Sequence, residues 1–214
     1  MAISIDSSGL QFFLRAVIIN LRKLIDKCID LYNSLFLLDP ESLCEINNEL
    51  GDDLEKTGNF EGAIKAYRRT LLNDPVNANV LLKLGRIYTR LGRNREALET
   101  LLKVTIIDEQ FAEAFYLLGS VYYSMDNCSE AETALNRAVD LNPGYAEAYY
   151  KLGLIADARN DHDVAISAYF KTISLRPDHI KAYQSLGFAY EAKGLREEAV
   201  TYFKKAMEVE QRNR

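Results

Sequence analysis

Histidine, cysteine, and the cationic and aromatic side chains are where this chain could do chemistry, and their spacing decides which kind. His162 and His179 are the only histidines, and Cys28, Cys44 and Cys128 the only cysteines. A metal centre needs several such ligands brought together at short spacing or on one helix face. Neither histidine, each expected in a loop, has a cysteine or carboxylate so placed. The cysteines form no CxxC pair and, odd in number and far apart, no disulfide framework, which fits a reducing compartment. Cys128, within Asn127-Cys128-Ser129, reads as an ordinary thiol at a turn. No GxGxxG, Walker A or nucleophile-elbow sequence is present. Catalysis, a metal, a cofactor and a small-molecule substrate are therefore not expected. Binding chemistry remains. Lys83, Arg86 and Arg90 follow one another at three- and four-residue spacing, which puts them on one helix face. Tyrosines are frequent, and such rings give large contact area for little entropy loss.

A repeat carries these residues. The pattern Ala63, Tyr67, Thr70, Pro75 returns every 34 residues as Ala97, Leu101, Val104, Glu109 and as Ala131, Leu135, Ala138, Pro143. It continues as Ala165, Tyr169, Thr172, Pro177 and ends as Ala199, Phe203, Ala206, Gln211. A second frame keeps step: Leu50-Gly51, Leu84-Gly85, Leu118-Gly119, Leu152-Gly153, Leu186-Gly187. Each unit predicts two helices joined by a tight turn at Gly58, Gly92, Asp126, Asn160 or Gly194, residues that tolerate the left-handed conformation ending many helices. The small residues let the paired helices approach closely while the bulky ones fill the space between them. Pro75, Pro143 and Pro177 are expected to stop the second helix of their units. Repeat two has Glu109 instead, so residues 106–111 are a candidate bend or hinge; the alternative there is a slightly longer helix. One hairpin cannot bury its apolar stripe alone, so stability must come from stacking.

These marks resemble the tetratricopeptide-repeat (TPR) family, and the resemblance runs from residue 44 to 213 without a gap. It implies an all-α, right-handed superhelix, an α-solenoid of five helix–turn–helix repeats: 44–77, 78–111, 112–145, 146–179 and 180–214. It also implies that the first helix of each hairpin lines a concave groove. On that frame repeat one presents Glu45, Glu49, Asp52 and Glu55, and repeat two presents Lys83, Arg86 and Arg90. The basic trio either receives an acidic partner segment or forms a solvated face partly neutralised by repeat one. Tyr116, Tyr123, Tyr150, Leu154 and Phe188 either form an aromatic strip along repeats three to five or pack against the adjacent hairpins. Some TPR proteins clamp the terminal carboxylate of a chaperone, using Asn after the first repeat's Gly and basic residues in the third. Here Asp52 follows Gly51, and Glu113 and Leu117 stand at the basic positions, so that use is not expected.

Residues 1–43 precede the repeats. From Leu10 to Leu38 most residues are hydrophobic, while Arg15, Arg22, Asp26, Lys27, Asp30 and Asn33 form one polar stripe at helical spacing. Cys28, Tyr32, Leu35 and Pro40 echo the second helix of a repeat, which suggests a degenerate unit or one long helix. A surface so apolar must be covered, and Phe12, Phe13, Val17, Ile25, Tyr32 and Phe36 are its candidate contact residues. The segment caps its own first hairpin, enters the groove of another copy, or lies in a membrane interface; a head-to-tail contact of the second kind builds rings or filaments. The last expected helix, Ala199–Glu208, is followed by no polar capping helix, which also favours assembly.

The total length, the five units after a degenerate segment, and the stretch Ile29-Asp30-Leu31-Tyr32-Asn33-Ser34-Leu35-Phe36 resemble the magnetosome-associated TPR scaffolds. The resemblance implies a cytoplasmic protein that self-assembles through its N-terminal segment, coats that organelle's membrane peripherally and recruits other proteins. Composition agrees with a protein-binding role. The net charge of −5 argues against a dedicated nucleic-acid binder. The N-terminus lacks the basic region of a signal peptide, with Asp6 in its place, and no uncharged run is long enough to span a bilayer.

Overall fold

The computed structural model describes residues 39–213, together with residues 14, 17, 18, 20, 21, 23–25, 27–29, 31 and 32. Among the described residues, those from 40 onward form ten helices in five hairpins. The first helices are α1 (Pro40–Lys56), α3 (Ala78–Arg90), α5 (Ala112–Ser124), α7 (Ala146–Ala158) and α9 (Ile180–Ala192). Their partners are α2 (Phe60–Asn73), α4 (Asn94–Ile107), α6 (Cys128–Leu141), α8 (His162–Leu175) and α10 (Arg196–Arg212).

The turn inside each hairpin is set by one residue. Gly58, Gly92 and Gly194 have φ of 78°, 68° and 78°, and Asp126 and Asn160 have φ of 60° and 63°. Those are the five positions marked by the repeat. The next residue's amide then reaches back to a carbonyl five positions earlier: Asn59 to Leu54 at 2.8 Å, Arg93 to Tyr88 at 2.9 Å, Asn127 to Tyr122 at 3.0 Å, Asp161 to Ala156 at 2.9 Å and Leu195 to Tyr190 at 2.9 Å. This is the Schellman closure, which satisfies carbonyls a helix end would otherwise leave bare.

Two packing rules hold each hairpin shut. Ala63, Ala97, Ala131, Ala165 and Ala199 are fully or almost fully buried where the helices cross. Opposite them stand the glycines. A methyl added to Gly51 or Gly153 would lie 2.4 Å from the ring of Tyr67 or Tyr169, one added to Gly85 2.4 Å from Leu101, and one added to Gly187 2.4 Å from Phe203. The bulky residue of one helix therefore occupies the space a side chain would need on the other, at interior packing density.

Repeat two is built like its neighbours although its second helix stops without a proline, whereas Pro75, Pro143 and Pro177 follow directly on the caps Asp74, Asn142 and Arg176 of repeats one, three and four. Helix α4 ends at Ile107, one period before α6 ends at Leu141. It is thus no longer than the others, and the longer helix expected there is absent. In repeats two and three the capping residue also closes a local turn. The Asp108 carboxylate accepts the Gln110 amide at 2.8 Å, as Asn142 accepts the Gly144 amide at 3.0 Å. Such local turns compete with helix continuation. One buried cluster runs from Ala63 through Leu101 and Val104 to Val121, so the core is continuous across residues 106–111.

Further clusters join repeats three and four around Leu135 and Ile155, and repeats four and five around Tyr169 and Leu186. Helix α3 touches α5, and α5 touches α7, which places the first helices side by side on the inner wall. The first hairpin is bare on its outer side. Leu50 is 44% exposed, whereas Leu84, Leu118 and Leu186 at the same repeat position are 3%, 3% and 0% exposed.

Candidate protein-binding groove

The basic trio does not stand free. Lys83 Nζ donates to both carboxylate oxygens of Asp52, at 2.6 and 2.9 Å, and to Asn48 Oδ1 at 3.0 Å. The Tyr67 hydroxyl donates to the same carboxylate at 2.6 Å. Arg86 bridges two repeats, 3.1 Å from Glu113 and 4.0 Å from Glu55. Arg90 lies over the Phe60 ring, 4.7 Å from its centroid. Repeats one and three thus take up the charge of Lys83 and Arg86, and the face serves as internal mortar between hairpins.

Burial alone would push the Asp52 carboxyl up, but Lys83 and the Tyr67 hydroxyl outweigh it and hold the group below its usual range. A carboxyl depressed in the folded state contributes stability above its unfolded pKa of about 3.9, and that stability is lost as pH falls through the folded value. The stability gap between wild type and Asp52→Asn is therefore expected to shrink as pH drops from about 5 to about 3. Denaturant midpoints measured across that range check this; a gap independent of pH would show the pairing carries no net stability.

The aromatic residues divide into two groups. Tyr116 stacks on Tyr145 from the following connection, with centroids 4.7 Å apart, and packs against two core clusters. Tyr150 is wedged between Tyr169 and His179, at 5.8 and 4.7 Å. Both rings are half-buried and act as packing between hairpins. Tyr123 and Leu154 are half-buried as well, and the Tyr123 ring carries Lys151 over it. Phe188 is 62% exposed and meets Phe203 edge-on at 5.0 Å. Of the five residues of the expected aromatic strip, Phe188 is the most exposed.

Sequence models of the tetratricopeptide repeat match residues 48–114, 116–180 and 180–213. The chain belongs to the tetratricopeptide-repeat family. Among solved TPR structures it is similar to a crystal structure of MamA protein, at 50% sequence identity and a TM-score of 0.71, over 80% of this chain and 93% of that one. A MamA structure from Desulfovibrio magneticus RS-1 aligns at 26% identity and a TM-score of 0.73, over 79% of this chain and 96% of that one. YrrB, a TPR protein described as having an unusual peptide-binding site, aligns at 25% identity and a TM-score of 0.63, over 76% and 84%. No curated protein matches the chain.

Within this TPR frame His179 lies in the connection between α8 and α9, as the sequence suggested, whereas His162 is the first residue of α8 and not a loop residue. His179 is the N-cap of α9 and is buried; its Nδ1 accepts the Ala182 amide at 3.0 Å and its Nε2 lies 3.3 Å from Glu147. It stands where Asn77 caps α3 through the Val80 amide, and that alignment is the signal that could have found it. His162 opens α8, 3.2 Å from Asp157, which also accepts the Tyr169 hydroxyl at 2.6 Å. Among the described residues no group of three or more His, Cys, Asp or Glu is placed to hold a metal, and no helix is long and apolar enough to cross a membrane.

Of the residues expected to mediate assembly, Phe12, Phe13 and Phe36 lie outside the described residues. Val17, Ile25 and Tyr32 are helical and exposed, as are Leu14, Ile18, Leu21, Leu24 and Ile29.

Proposed function

We propose that this TPR protein is a non-enzymatic scaffold that binds segments of other proteins in its inner groove and self-assembles through its N-terminal segment. The observation carrying the proposal is a pair of uncovered apolar surfaces. The described residues of the N-terminal helix present Val17, Ile18, Leu21, Leu24 and Ile25 to solvent, and the first hairpin leaves Ile46 and Leu50 bare. Contiguous apolar surface of this kind marks association sites. The similarity to MamA structures, together with the resemblance to magnetosome-associated scaffolds, supports a reading in which the assembly lies peripherally on the cytoplasmic face of the magnetosome membrane. YrrB's peptide-binding site supports a peptide as the groove's guest.

Light scattering coupled to size-exclusion chromatography tests the assembly. The full chain is expected to elute as an oligomer whose mass grows with concentration, and Ile18→Asp with Ile25→Asp is expected to elute as a monomer with an unchanged helical spectrum. Monomers in both cases would remove self-assembly and leave a monomeric adaptor. Flotation of the full chain with anionic vesicles separates direct membrane anchoring from assembly, because anchoring brings the monomeric fraction up with the lipid.

A further inference from the structure

Lys83 and Lys151 occupy the same position in repeats two and four, yet only one of them has a carboxylate. Lys83 is received by Asn48 and Asp52 of the preceding repeat. Two repeats on, the residues in those places are Tyr116 and Ser120. Neither carries a charge, and the Ser120 hydroxyl donates to the Tyr116 carbonyl at 2.9 Å. Glu147, the nearest anion on the same helix, is already held by Arg176 and His179.

Lys151 is half-buried with its ammonium 5.6 Å from the Tyr123 ring centroid, and among the described residues it makes no hydrogen bond or ion pair. The amine is not sealed away, since no buried side-chain nitrogen or oxygen lacks a partner among the described residues. It keeps some access to water beside the Tyr123 ring. Burial holds it below the usual lysine range; Glu147 opposes that and Lys181 adds to it. A half-desolvated cation without a counter-charge is an unfavourable arrangement until an anion arrives.

We propose that the aspartate or glutamate side chain of a bound protein segment fills this place, meeting Lys151 as Asp52 meets Lys83. The proposal rests on the groove being a peptide site and specifies its guest: an acidic side chain flanked by apolar residues that lie on Tyr123, Leu154 and Phe188. The anion site therefore sits in repeat four and not on Lys83 and Arg86, whose charge is committed within the stack, nor on Arg90, which is exposed to water over the Phe60 ring.

Selection of short random peptides, displayed through their C-termini, against the full chain tests this. The selected peptides are expected to share one Asp or Glu. Their affinity is expected to fall about ten- to a hundredfold on Lys151→Gln, the worth of a charge-assisted hydrogen bond, and to be unchanged on Lys65→Gln of the outer helix. Ser120→Asp supplies the counter-charge from within. It is expected to melt no lower than wild type and to lose the same peptides while keeping Lys151. Peptides without a shared acidic position, or acidic peptides indifferent to both changes, would overturn the proposal and leave the groove as a peptide site. Failure to select any peptide sensitive to Phe188→Ala would remove the peptide site itself.

Discussion

Gly153→Val lowers the melting temperature of the chain by about 6 to 12 °C. The Cβ of the new side chain would fall 2.4 Å from Cε1 and 2.7 Å from Cδ1 of Tyr169. That ring cannot step aside easily. It is fully buried, its hydroxyl is bonded to Asp157, and Tyr150 lies against it. Valine adds two further methyls to the clash, so the cost lies at or above the upper end of the overpacking range, about 3 kcal/mol. The small gain in helix propensity over glycine offsets little of this. At about 2–4 °C per kcal/mol for a chain of this size, the shift is readily measured by circular dichroism. Recovery of part of the loss by Tyr169→Ala in the same chain would attribute it to that contact. A melt within about 1 °C of wild type would mean that α7 and α8 separate at little cost, contrary to the packing seen.

Tyr116→Ala and Phe188→Ala are expected to part company. Tyr116 bridges two core clusters and stacks on Tyr145, so its loss leaves a cavity where repeats two, three and four meet. Truncating a ring in such a place costs about 3 kcal/mol or more, and any fall in partner binding would follow from the weakened stack. Phe188 is 62% exposed, so its removal costs under about 1 kcal/mol and reports on binding alone. Urea denaturation of the two variants beside their affinity for selected peptides checks the contrast. Equal stability losses would show that the two rings share one role.

The hairpins were legible because their determinants are local. A left-handed turn needs Gly, Asn or Asp, and the five residues found there were marked by the period alone. The close approach of paired helices needs glycine facing a bulky residue, and both stand in register. The helix stop in repeat two was misjudged because proline hides a second device: the acid at Asp108 ends its helix without it. The groove was legible only as a face. Which charges on it remain available depends on contacts between repeats, such as Lys83 to Asp52 and Arg86 to Glu113, whose partners lie 31 and 27 residues away. The same holds for Tyr116, whose stacking partner Tyr145 comes from a connection, and for His179, whose capping role shows only when its repeat is laid over Asn77.

The bare Leu50 end ties companionship to integrity. In a row of stacked units each hairpin draws stability from the interfaces on both sides, and among the described residues the first one packs against a neighbouring hairpin on one side only. Whatever settles against Ile46 and Leu50 acts as an added unit, and its binding energy appears directly as resistance of that hairpin to opening. Recruitment and folding then become one equilibrium at this terminus, so any companion bound there is expected to hold the first hairpin closed.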